Sequence, residues 1–251
     1  MTEAVYSYQT QNIKAPRLGL IALQSDETIE GDLRRMLPPD VECLVSRVAS
    51  ETEVTRETLA SMERHLTTAA SLFPRGLSFD AVGYGCTSGT AQIGADRVAA
   101  KIRQGVPSSV VTQPLSALLA ACNALAIKRL ALLSPYVSEV SGRLCEVLRE
   151  NGVQTPVFGS FNVGTEATVV RIDGASIMNA ARHLVRNARD SVDAVFVSCT
   201  NLRALDAIEP LEQELDLPVL TSNQVLAWHL MQSTGLQPSP RAPGRLFAST
   251  L

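Results

Sequence analysis

Aromatic residues and histidine are scarce in this sequence, and neither forms a recognisable cofactor site. Aromatic side chains make up 4% of the 251 residues. The three histidines, His65, His183 and His229, are far apart and lack the spacing of metal ligands, so we expect no metal site. No G-x-G-x-x-G pattern follows the first predicted strand, no Walker loop is present, and no lysine lies in a pyridoxal-type context. The sequence therefore predicts chemistry that needs no cofactor.

The chain also lacks a basic surface pattern and long apolar runs. It carries 22 lysine and arginine residues against 25 acidic ones, a net charge of -3, and no basic stripe is visible. That balance argues against a nucleic-acid partner. No apolar run approaches the roughly 20 residues of a membrane-spanning helix, and residues 1–17 lack the charged-then-apolar order of a signal peptide. We therefore expect a cytoplasmic protein that binds neither nucleic acid nor a membrane.

Cysteine is present in an odd number, spread over a long chain, at Cys43, Cys86, Cys122, Cys145 and Cys199. In a reducing compartment this pattern favours free thiols over a disulfide framework. Cys43, Cys122 and Cys145 lie in apolar patterns and are predicted to be packing residues. Cys86 and Cys199 each lie at the carboxyl end of a predicted strand, and they are the candidates for chemistry.

Short apolar runs alternate with helical patterns along the chain. Strands are predicted at 17–23, 41–48, 79–85, 108–113, 129–135, 153–159, 192–198 and 217–221. Helices are predicted at 26–37, 91–104, 114–127, 137–151, 175–189, 202–215 and 223–234. A further long helix is expected to end near Phe73, after a capping box formed by Ser50 and Glu53. Strand–helix alternation of this kind indicates an α/β fold with parallel sheets and right-handed crossovers.

The second half of the chain looks like a copy of the first. Three patterns recur in order, at offsets of 112, 113 and 109 residues: R-L-x-L at 17–20 and 129–132, D-A-V-x-x-x-C-T at 80–87 and 193–200, and V-T at 111–112 with L-T at 220–221. The repeat predicts two similar flavodoxin-like lobes related by a pseudo-twofold axis, at 17–127 and 128–235. Residues 1–16 and 236–251 are predicted to be loosely attached tails.

Such lobes face each other, with the carboxyl ends of their strands lining a shared cleft. The repeat therefore predicts that Cys86 and Cys199 face one another across that cleft. Small polar residues follow each cysteine, Thr87 and Ser88 in one lobe and Thr200 and Asn201 in the other. At strand-to-helix turns their hydroxyls and the backbone N–H groups can hold a carboxylate, and the field there is expected to lower the thiol pKa.

Two facing thiols can perform two kinds of reaction. A thiolate on one side can remove a proton from a carbon while a thiol on the other side returns one, which inverts the carbon. Alternatively, one thiolate adds to a double bond, the C–C bond rotates, and the thiolate leaves. A single cysteine at a strand end is more often a small buried hydrophobic residue. The repeated context of Cys86 and Cys199 favours the chemical interpretation.

The stretches GYGCTSGT (83–90), VSCTN (197–201) and LPVLTSNQVLAWHLM (217–231) make the chain resemble the aspartate/glutamate racemase superfamily. The branch that it resembles contains maleate cis–trans isomerases, arylmalonate decarboxylases and ectoine-utilisation protein A, to which the loop LQSDETIE is most similar. In maleate isomerases the first cysteine attacks the double bond and the second protonates the neighbouring carbon, roles that the resemblance assigns to Cys86 and Cys199. It also implies that Tyr136 and Asn162 hold the substrate. The arylmalonate decarboxylases lack the first cysteine, so pure decarboxylation is disfavoured.

The first loop departs from the maleate isomerases, which carry a carboxylate-binding asparagine there. In this chain Asp26 lies at that point. One interpretation is that Asp26 caps the following helix. The other is that it contacts a substrate ammonium or orients a thiol, which favours an amino acid over maleate.

The sequence thus predicts a cofactor-independent isomerase or racemase that uses two cysteines on a small carboxylate or an amino acid. The resemblance to ectoine-utilisation protein A suggests that this reaction belongs to ectoine catabolism. An arylmalonate-type decarboxylase and a binding protein that holds a small acid without turning it over stay as alternatives. The identity of the substrate, the roles of the two thiols and the formation of a homo-oligomer are left open.

Overall fold

The computed structural model describes residues 3–11, 16–188 and 192–248. Eight strands are formed in these residues. They are β1 Arg17–Leu23, β2 Glu42–Val48, β3 Phe79–Gly85, β4 Ser108–Thr112, β5 Arg129–Tyr136, β6 Gln154–Val163, β7 Ala194–Val197 and β8 Val219–Thr221. They form two four-stranded parallel sheets with orders β2-β1-β3-β4 and β6-β5-β7-β8. The same strand order in both sheets confirms the predicted α/β fold of two similar lobes.

Helices connect these strands. They are α1 Ile29–Met36, α2 Arg56–Ser61, α3 Glu63–Ser71, α4 Thr87–Ile93, α5 Ala95–Gly105, α6 Pro114–Ala124, α7 Ser138–Glu150, α8 Glu166–Val169, α9 Gly174–Arg186, α10 Ile208–Leu215, α11 Ser222–Thr234 and α12 Arg245–Ala248. In the part of the chain that the structure describes, none of the helices combines the length and the hydrophobicity needed to cross a membrane.

The two aspartates of the sequence repeat, Asp80 and Asp193, each bind the first residue of a neighbouring strand. The Asp80 carboxylate accepts a hydrogen bond from the backbone N–H of Arg17 at 2.8 Å. The Asp193 carboxylate accepts the equivalent bond from the backbone N–H of Arg129, also at 2.8 Å. In each lobe the aspartate therefore fixes the first strand beside the strand that ends at the cysteine, so the sequence repeat is a repeat of sheet architecture.

The helix that ends the second lobe packs against the first. Helix α11 contacts β3, α1 and α6. A Cβ atom placed on Gly83 of β3 would lie 3.3 Å from Leu230 and 3.4 Å from Leu226, so the absence of a side chain at Gly83 permits this approach. The cysteine-bearing end of β3 is thereby held against the second lobe by apolar packing.

Four local predictions are wrong in detail. The capping box belongs to Thr55 and Thr58 rather than to Ser50 and Glu53, and the long helix is divided into α2 and α3 at Met62. The helix predicted at 91–104 is two helices, because Gly94 adopts a left-handed φ of 97° between α4 and α5. The helix predicted at 202–215 begins instead with a 3₁₀ turn, at Leu205–Ala207.

The C-terminal segment is not loosely attached. Leu246 and Phe247 are buried, and the Glu212 carboxylate accepts a hydrogen bond from the backbone N–H of Arg245 at 2.9 Å. The Gln224 side chain donates to the carbonyl of Pro243 at 2.8 Å. Burial of apolar side chains and pairing of polar ones anchor residues 243–248 on α10 and α11. Residues 1–2, 12–15 and 249–251 of the two predicted tails lie outside the described residues.

Candidate active site

Cys86 lies directly after β3 and caps α4. Its Sγ accepts a hydrogen bond from the backbone N–H of Gly89 at 3.2 Å, and its carbonyl accepts one from the Thr90 hydroxyl at 2.6 Å. A Cβ atom on residue 89 would lie 2.8 Å from this Sγ and 2.9 Å from the Tyr84 hydroxyl. The turn therefore needs glycine at 89 because the thiol and the Tyr84 hydroxyl occupy the space that a side chain would fill.

Cys199 lies in the equivalent place after β7 but with a strained backbone. Its φ is 118°, a region that residues other than glycine seldom adopt and that costs on the order of 1–3 kcal/mol. The Cys199 N–H donates to the Ser222 hydroxyl at 2.9 Å, and its Sγ accepts from the Asn201 N–H at 3.3 Å. These contacts hold the thiol in an orientation that the unstrained backbone would not give.

The two cysteine turns are joined to each other. The Ser222 hydroxyl that binds Cys199 also pairs with the Thr87 hydroxyl at 2.7 Å, so one serine at the start of α11 connects both turns. Burial raises the pKa of Tyr136 well above its ordinary value, and a negative charge on Cys199 or on Cys86 would raise it further. The structure thus brings both thiols into one site between the lobes, at the carboxyl ends of β3 and β7.

Tyr136 connects Cys199 to a carboxylate. Its hydroxyl lies 3.0 Å from the Cys199 Sγ and 2.6 Å from Oε1 of Glu166. The other oxygen of Glu166 accepts from the Asn201 side-chain amide at 2.9 Å. A continuous chain of hydrogen bonds therefore runs from the second thiol through Tyr136 to Glu166, and Asn201 orients the carboxylate at its end.

Glu166 is a site residue that sequence reasoning missed. It is buried at the start of α8, in the loop after β6, which is the loop to which the resemblance assigned Asn162. Asn162 itself is exposed with a left-handed φ of 56°, and its backbone N–H donates to the Ser160 hydroxyl. The structure does not bring Asn162 to the thiols. The glutamate carried no motif signal, and only the path of the loop reveals its position.

Asp26 contacts the start of the following helix, as the capping interpretation predicts. Oδ1 accepts the backbone N–H groups of Thr28 and Ile29, both at 2.8 Å, and so caps the start of α1. Oδ2 is buried, and none of the described residues makes a hydrogen bond to it. The residue is 3% exposed, and burial raises its pKa above the ordinary value, against the opposing hydrogen bonds to Ile29 and Thr28. One oxygen of Asp26 therefore has a structural role, and a contact of this residue with the substrate stays a prediction.

The four residues predicted to hold the substrate carboxylate are all buried, and three of them connect the lobes. They are Thr87, Ser88, Thr200 and Asn201. The Thr200 hydroxyl donates to the carbonyl of Gly85 at 3.0 Å, while the Asn201 side-chain oxygen accepts the backbone N–H of Glu27 at 2.8 Å. Thr87 bonds to Ser222, as described above, and Ser88 is buried beside it. Thr87, Thr200 and Asn201 thus hold the closed site together.

The expectation of lowered thiol pKa values is wrong for this closed site. Burial raises the pKa of Cys86 to about 12, an effect that the Gly89 N–H only partly offsets and that the Glu166 charge increases. Burial likewise raises the pKa of Cys199 well above its ordinary value, and the charge of Glu166 adds to the effect. The cost of removing a thiolate from water outweighs the stabilisation that the backbone N–H groups of the turn give it, so both thiols are protonated at neutral pH.

The site is closed to solvent. Cys86 and Cys199 are each 5% exposed. The cavity next to Glu166 offers about 10 Å³, room for at most one water molecule. Beside it, the segment at Glu53 forms an antiparallel bridge with Thr165, and the Val54 N–H donates to the Gly164 carbonyl at 2.9 Å. A substrate therefore reaches the two thiols only when the site opens.

Comparison with known proteins finds relatives whose sequences match somewhat less than two thirds of this chain. Arylmalonate decarboxylase of Bordetella bronchiseptica is 29% identical over 160 residues, which cover 63% of this chain and 65% of that protein. Maleate isomerase of Nocardia farcinica is 28% identical over 151 residues, 60% of this chain and 59% of that protein. The chain thus spans less than two thirds of the length of each of these relatives.

Solved structures are similar over almost the whole chain. A cysteine-to-serine variant of Nocardia farcinica maleate cis–trans isomerase, with a covalently bound succinylcysteine intermediate, superposes with a TM-score of 0.77 at 26% identity. That superposition covers 93% of this chain and 98% of the other. The model of one family, described as arylmalonate decarboxylase, matches residues 95–247, a segment that contains Cys199 but not Cys86. Because this match includes more than half of the sequence, the chain belongs to the arylmalonate decarboxylase family.

Proposed function

We propose that the protein is a cofactor-independent isomerase in which Cys86 and Cys199 act on one small carboxylate substrate from opposite sides. The observation that carries this proposal is the pairing of the two thiols. Both are buried at equivalent strand ends, and Ser222 joins their turns. A protein that only binds a small acid has no need for two such thiols, whereas an enzyme that works on both faces of one carbon does.

The reaction begins when one thiol loses its proton. For Cys199 the chain through Tyr136 offers a path. The thiol proton moves to the Tyr136 oxygen while the tyrosine proton moves to Glu166, which leaves a thiolate and a neutral carboxylic acid. The thiolate then removes a proton from the carbon next to the substrate carboxylate, and the Cys86 thiol donates its own proton to the opposite face. The carbon is inverted, Cys199 has taken up the proton of the substrate, and Cys86 has released its own proton to the product.

Cis–trans isomerisation is a second outcome of the same arrangement. Here a thiolate adds to a carbon–carbon double bond and forms a C–S bond, the adjacent single bond rotates, and the C–S bond breaks as the double bond returns. The Nocardia farcinica structure with a succinylcysteine supports this candidate. Decarboxylation is the third candidate because of the Bordetella bronchiseptica relative. The presence of Cys86, which the resemblance implies decarboxylases lack, argues against it.

The test follows proton exchange and isomerisation of candidate substrates with cysteine variants of the protein. Small carboxylates, including maleate, aspartate and glutamate, are incubated in deuterated water and followed by NMR, with wild type, Cys86→Ser and Cys199→Ser. Cys145→Ser serves as the control, since Cys145 is a half-buried thiol on α7, away from the site. We expect both site variants to lose inversion or isomerisation and the control to keep it. A site variant with activity within tenfold of wild type would refute the two-thiol proposal.

Each single variant also separates the two reactions. In an inverting enzyme, removal of one thiol leaves deuterium exchange at the substrate carbon by the other thiol, without inversion. In a cis–trans isomerase, the variant that keeps the attacking cysteine accumulates an enzyme–substrate adduct, which mass spectrometry of the intact protein detects. Loss of carbon dioxide without either signal would establish the decarboxylase alternative.

A further inference from the structure

Ser222 is the first residue of α11, but its hydroxyl does not serve that helix. The cap of α11 is Thr221, whose side chain accepts the backbone N–H of Gln224 at 3.2 Å, and the Gln224 side chain completes a capping box. The Ser222 side chain is fully buried and binds two groups outside the helix, the Cys199 N–H and the Thr87 hydroxyl. Both groups belong to the turns that carry the cysteines, so helix capping does not explain this serine.

The hydroxyls of Ser222 and Thr87 have one proton more than they can use between them. Ser222 Oγ accepts the Cys199 N–H at 2.9 Å and lies 2.7 Å from Thr87 Oγ1. Among the residues that the structure describes, neither oxygen has a further hydrogen-bond partner, and both side chains are buried. Only one O–H proton can lie between the two oxygens, so the other has no acceptor in the closed site. A buried donor of this kind costs free energy unless a ligand accepts from it.

The bond to Cys199 favours one direction for this pair. If Ser222 donates to Thr87, the bonds run in one direction from the Cys199 N–H through the Ser222 O–H to the Thr87 oxygen, and hydrogen bonds in such a chain strengthen one another. The surplus proton is then that of Thr87, which directly follows Cys86 in the site. The opposite direction would leave the surplus proton on Ser222, where full burial keeps a ligand away.

The same serine holds Cys199 in its strained backbone. The φ of 118° at Cys199 belongs to a region that favours glycine, so the turn keeps it only while its surroundings enforce it. Ser222 supplies the acceptor for the Cys199 N–H in this conformation. In the same conformation the Cys199 Sγ lies 3.0 Å from the Tyr136 hydroxyl. Loss of the Ser222 hydroxyl would leave a buried N–H without an acceptor, and relaxation of the turn would move the sulfur away from Tyr136.

We propose that Ser222 is a positioning residue for both halves of the site. By accepting from the Cys199 N–H it keeps that thiol in contact with Tyr136, and by donating to Thr87 it directs the Thr87 proton towards the carboxylate of the substrate. The second part rests on the proposed function, because it requires a substrate carboxylate beside the thiols, whereas the first part does not. Ser222 acts through Cys199 and Thr87 rather than on the substrate itself.

Alkylation tests the first part without a substrate. Wild type, Ser222→Ala and Ser222→Thr are treated with iodoacetamide over a range of pH, and mass spectrometry of peptides gives the rate at Cys199. Ser222→Ala should slow this reaction by about tenfold or more and move its pH profile to higher pH, because the thiol loses its contact with Tyr136. Ser222→Thr keeps the hydroxyl and should stay within about threefold of wild type.

Ser46→Ala is the matched control for the alanine substitution. It also removes a buried serine hydroxyl, one that donates to the carbonyl of Ala69 at 2.7 Å between β2 and α3, away from the thiols. It should lower Tm and leave the alkylation of Cys199 unchanged. Ser222→Ala is expected to fold, since Thr221 still caps α11 and alanine favours a helix.

Steady-state kinetics on the carboxylate that the exchange experiment identifies tests the second part. Ser222→Ala and Thr87→Val should each raise KM by about tenfold or more, and the double variant should raise it no further, because both changes remove the same donor. kcat should fall further in Ser222→Ala, which also displaces Cys199. Thr87→Val leaves Ser222 in place, so this part is measured independently of the stability of Ser222→Ala.

Two results would overturn the proposal. One is alkylation of Cys199 in Ser222→Ala at the rate and with the pH profile of wild type. The other is a pair of KM increases that multiply in the Ser222→Ala/Thr87→Val double variant. Slower alkylation of Cys199 in a protein that converts none of the carboxylates would support the role of Ser222 in holding the thiol and would refute only the proposed function.

Discussion

Gly89→Ala is expected to damage the site by placing one methyl group against the first thiol. The added Cβ would lie 2.8 Å from the Cys86 Sγ, 2.8 Å from the Met62 methyl and 2.9 Å from the Tyr84 hydroxyl. Overpacking of this kind costs about 1–3 kcal/mol, while replacing glycine in a helix returns about 0.5–1 kcal/mol. The expected net loss of stability is about 1–2 kcal/mol, a fall in Tm of roughly 2–8 °C for a chain of this size.

The same substitution should reduce activity more than stability. The Gly89 N–H that stabilises the Cys86 thiolate would be displaced, and a hydrogen bond to a charged group contributes about 1.5–3 kcal/mol, or roughly 10–150-fold in rate. Turnover, the rate of alkylation of Cys86 by iodoacetamide and Tm are measured together. Gly142→Ala is the control, because Gly142 lies in α7 with open space around its Cα, and it should raise Tm slightly. Equal Tm and alkylation rates for both variants would refute the packing argument.

Three further substitutions test other parts of the structure. Phe247→Ala should lower Tm and reduce the free energy of unfolding by about 3 kcal/mol, because Phe247 is buried. The control Leu72→Ala, on the surface, should change that free energy by less than about 0.5 kcal/mol. Equal effects of the two variants in thermal unfolding would show that the C-terminal segment is not anchored. Burial raises the pKa of Asp32 to about 6, so its contribution to the free energy of unfolding is present below about pH 4 and lost as pH rises through 6. Denaturation of wild type and Asp32→Asn at pH 4 and pH 7 should show that the variant avoids up to about 3 kcal/mol of this loss. A difference between the two proteins that is the same at both pH values would contradict this. Tyr136→Phe should slow turnover and the alkylation of Cys199 by about 10–100-fold, because it breaks the chain of hydrogen bonds from Cys199 to Glu166. An unchanged alkylation rate would exclude proton transfer through Tyr136.

The repeat in the sequence was sufficient to predict the architecture. Asp80 and Asp193 perform the same task in both lobes, so their recurrence at a constant offset reflected a shared sheet and placed both cysteines at strand ends. The capping boundaries were less predictable, because Ser50 and Thr55 are both suitable caps and only the packing of the following helix selects between them.

Features that depend on tertiary burial could not be read from the sequence. Glu166 is one glutamate in a polar loop, and its role becomes visible only when the loop brings it to Tyr136. The direction of the thiol pKa shift depends on how completely the site is closed, which no local pattern records. The left-handed backbone of Cys199 is similarly invisible, since the residue type gives no reason to expect a φ of 118°.

The near-complete burial of the two thiols has a kinetic consequence. If an enzyme of this kind inverts a carbon, each turnover leaves it with the proton on the opposite thiol, so the free enzyme exists in two forms that process opposite isomers. Returning from one form to the other requires proton exchange with water, from which the closed site shields both thiols. At high substrate concentration this recycling of protons between turnovers, rather than the chemical step, would set the maximal rate.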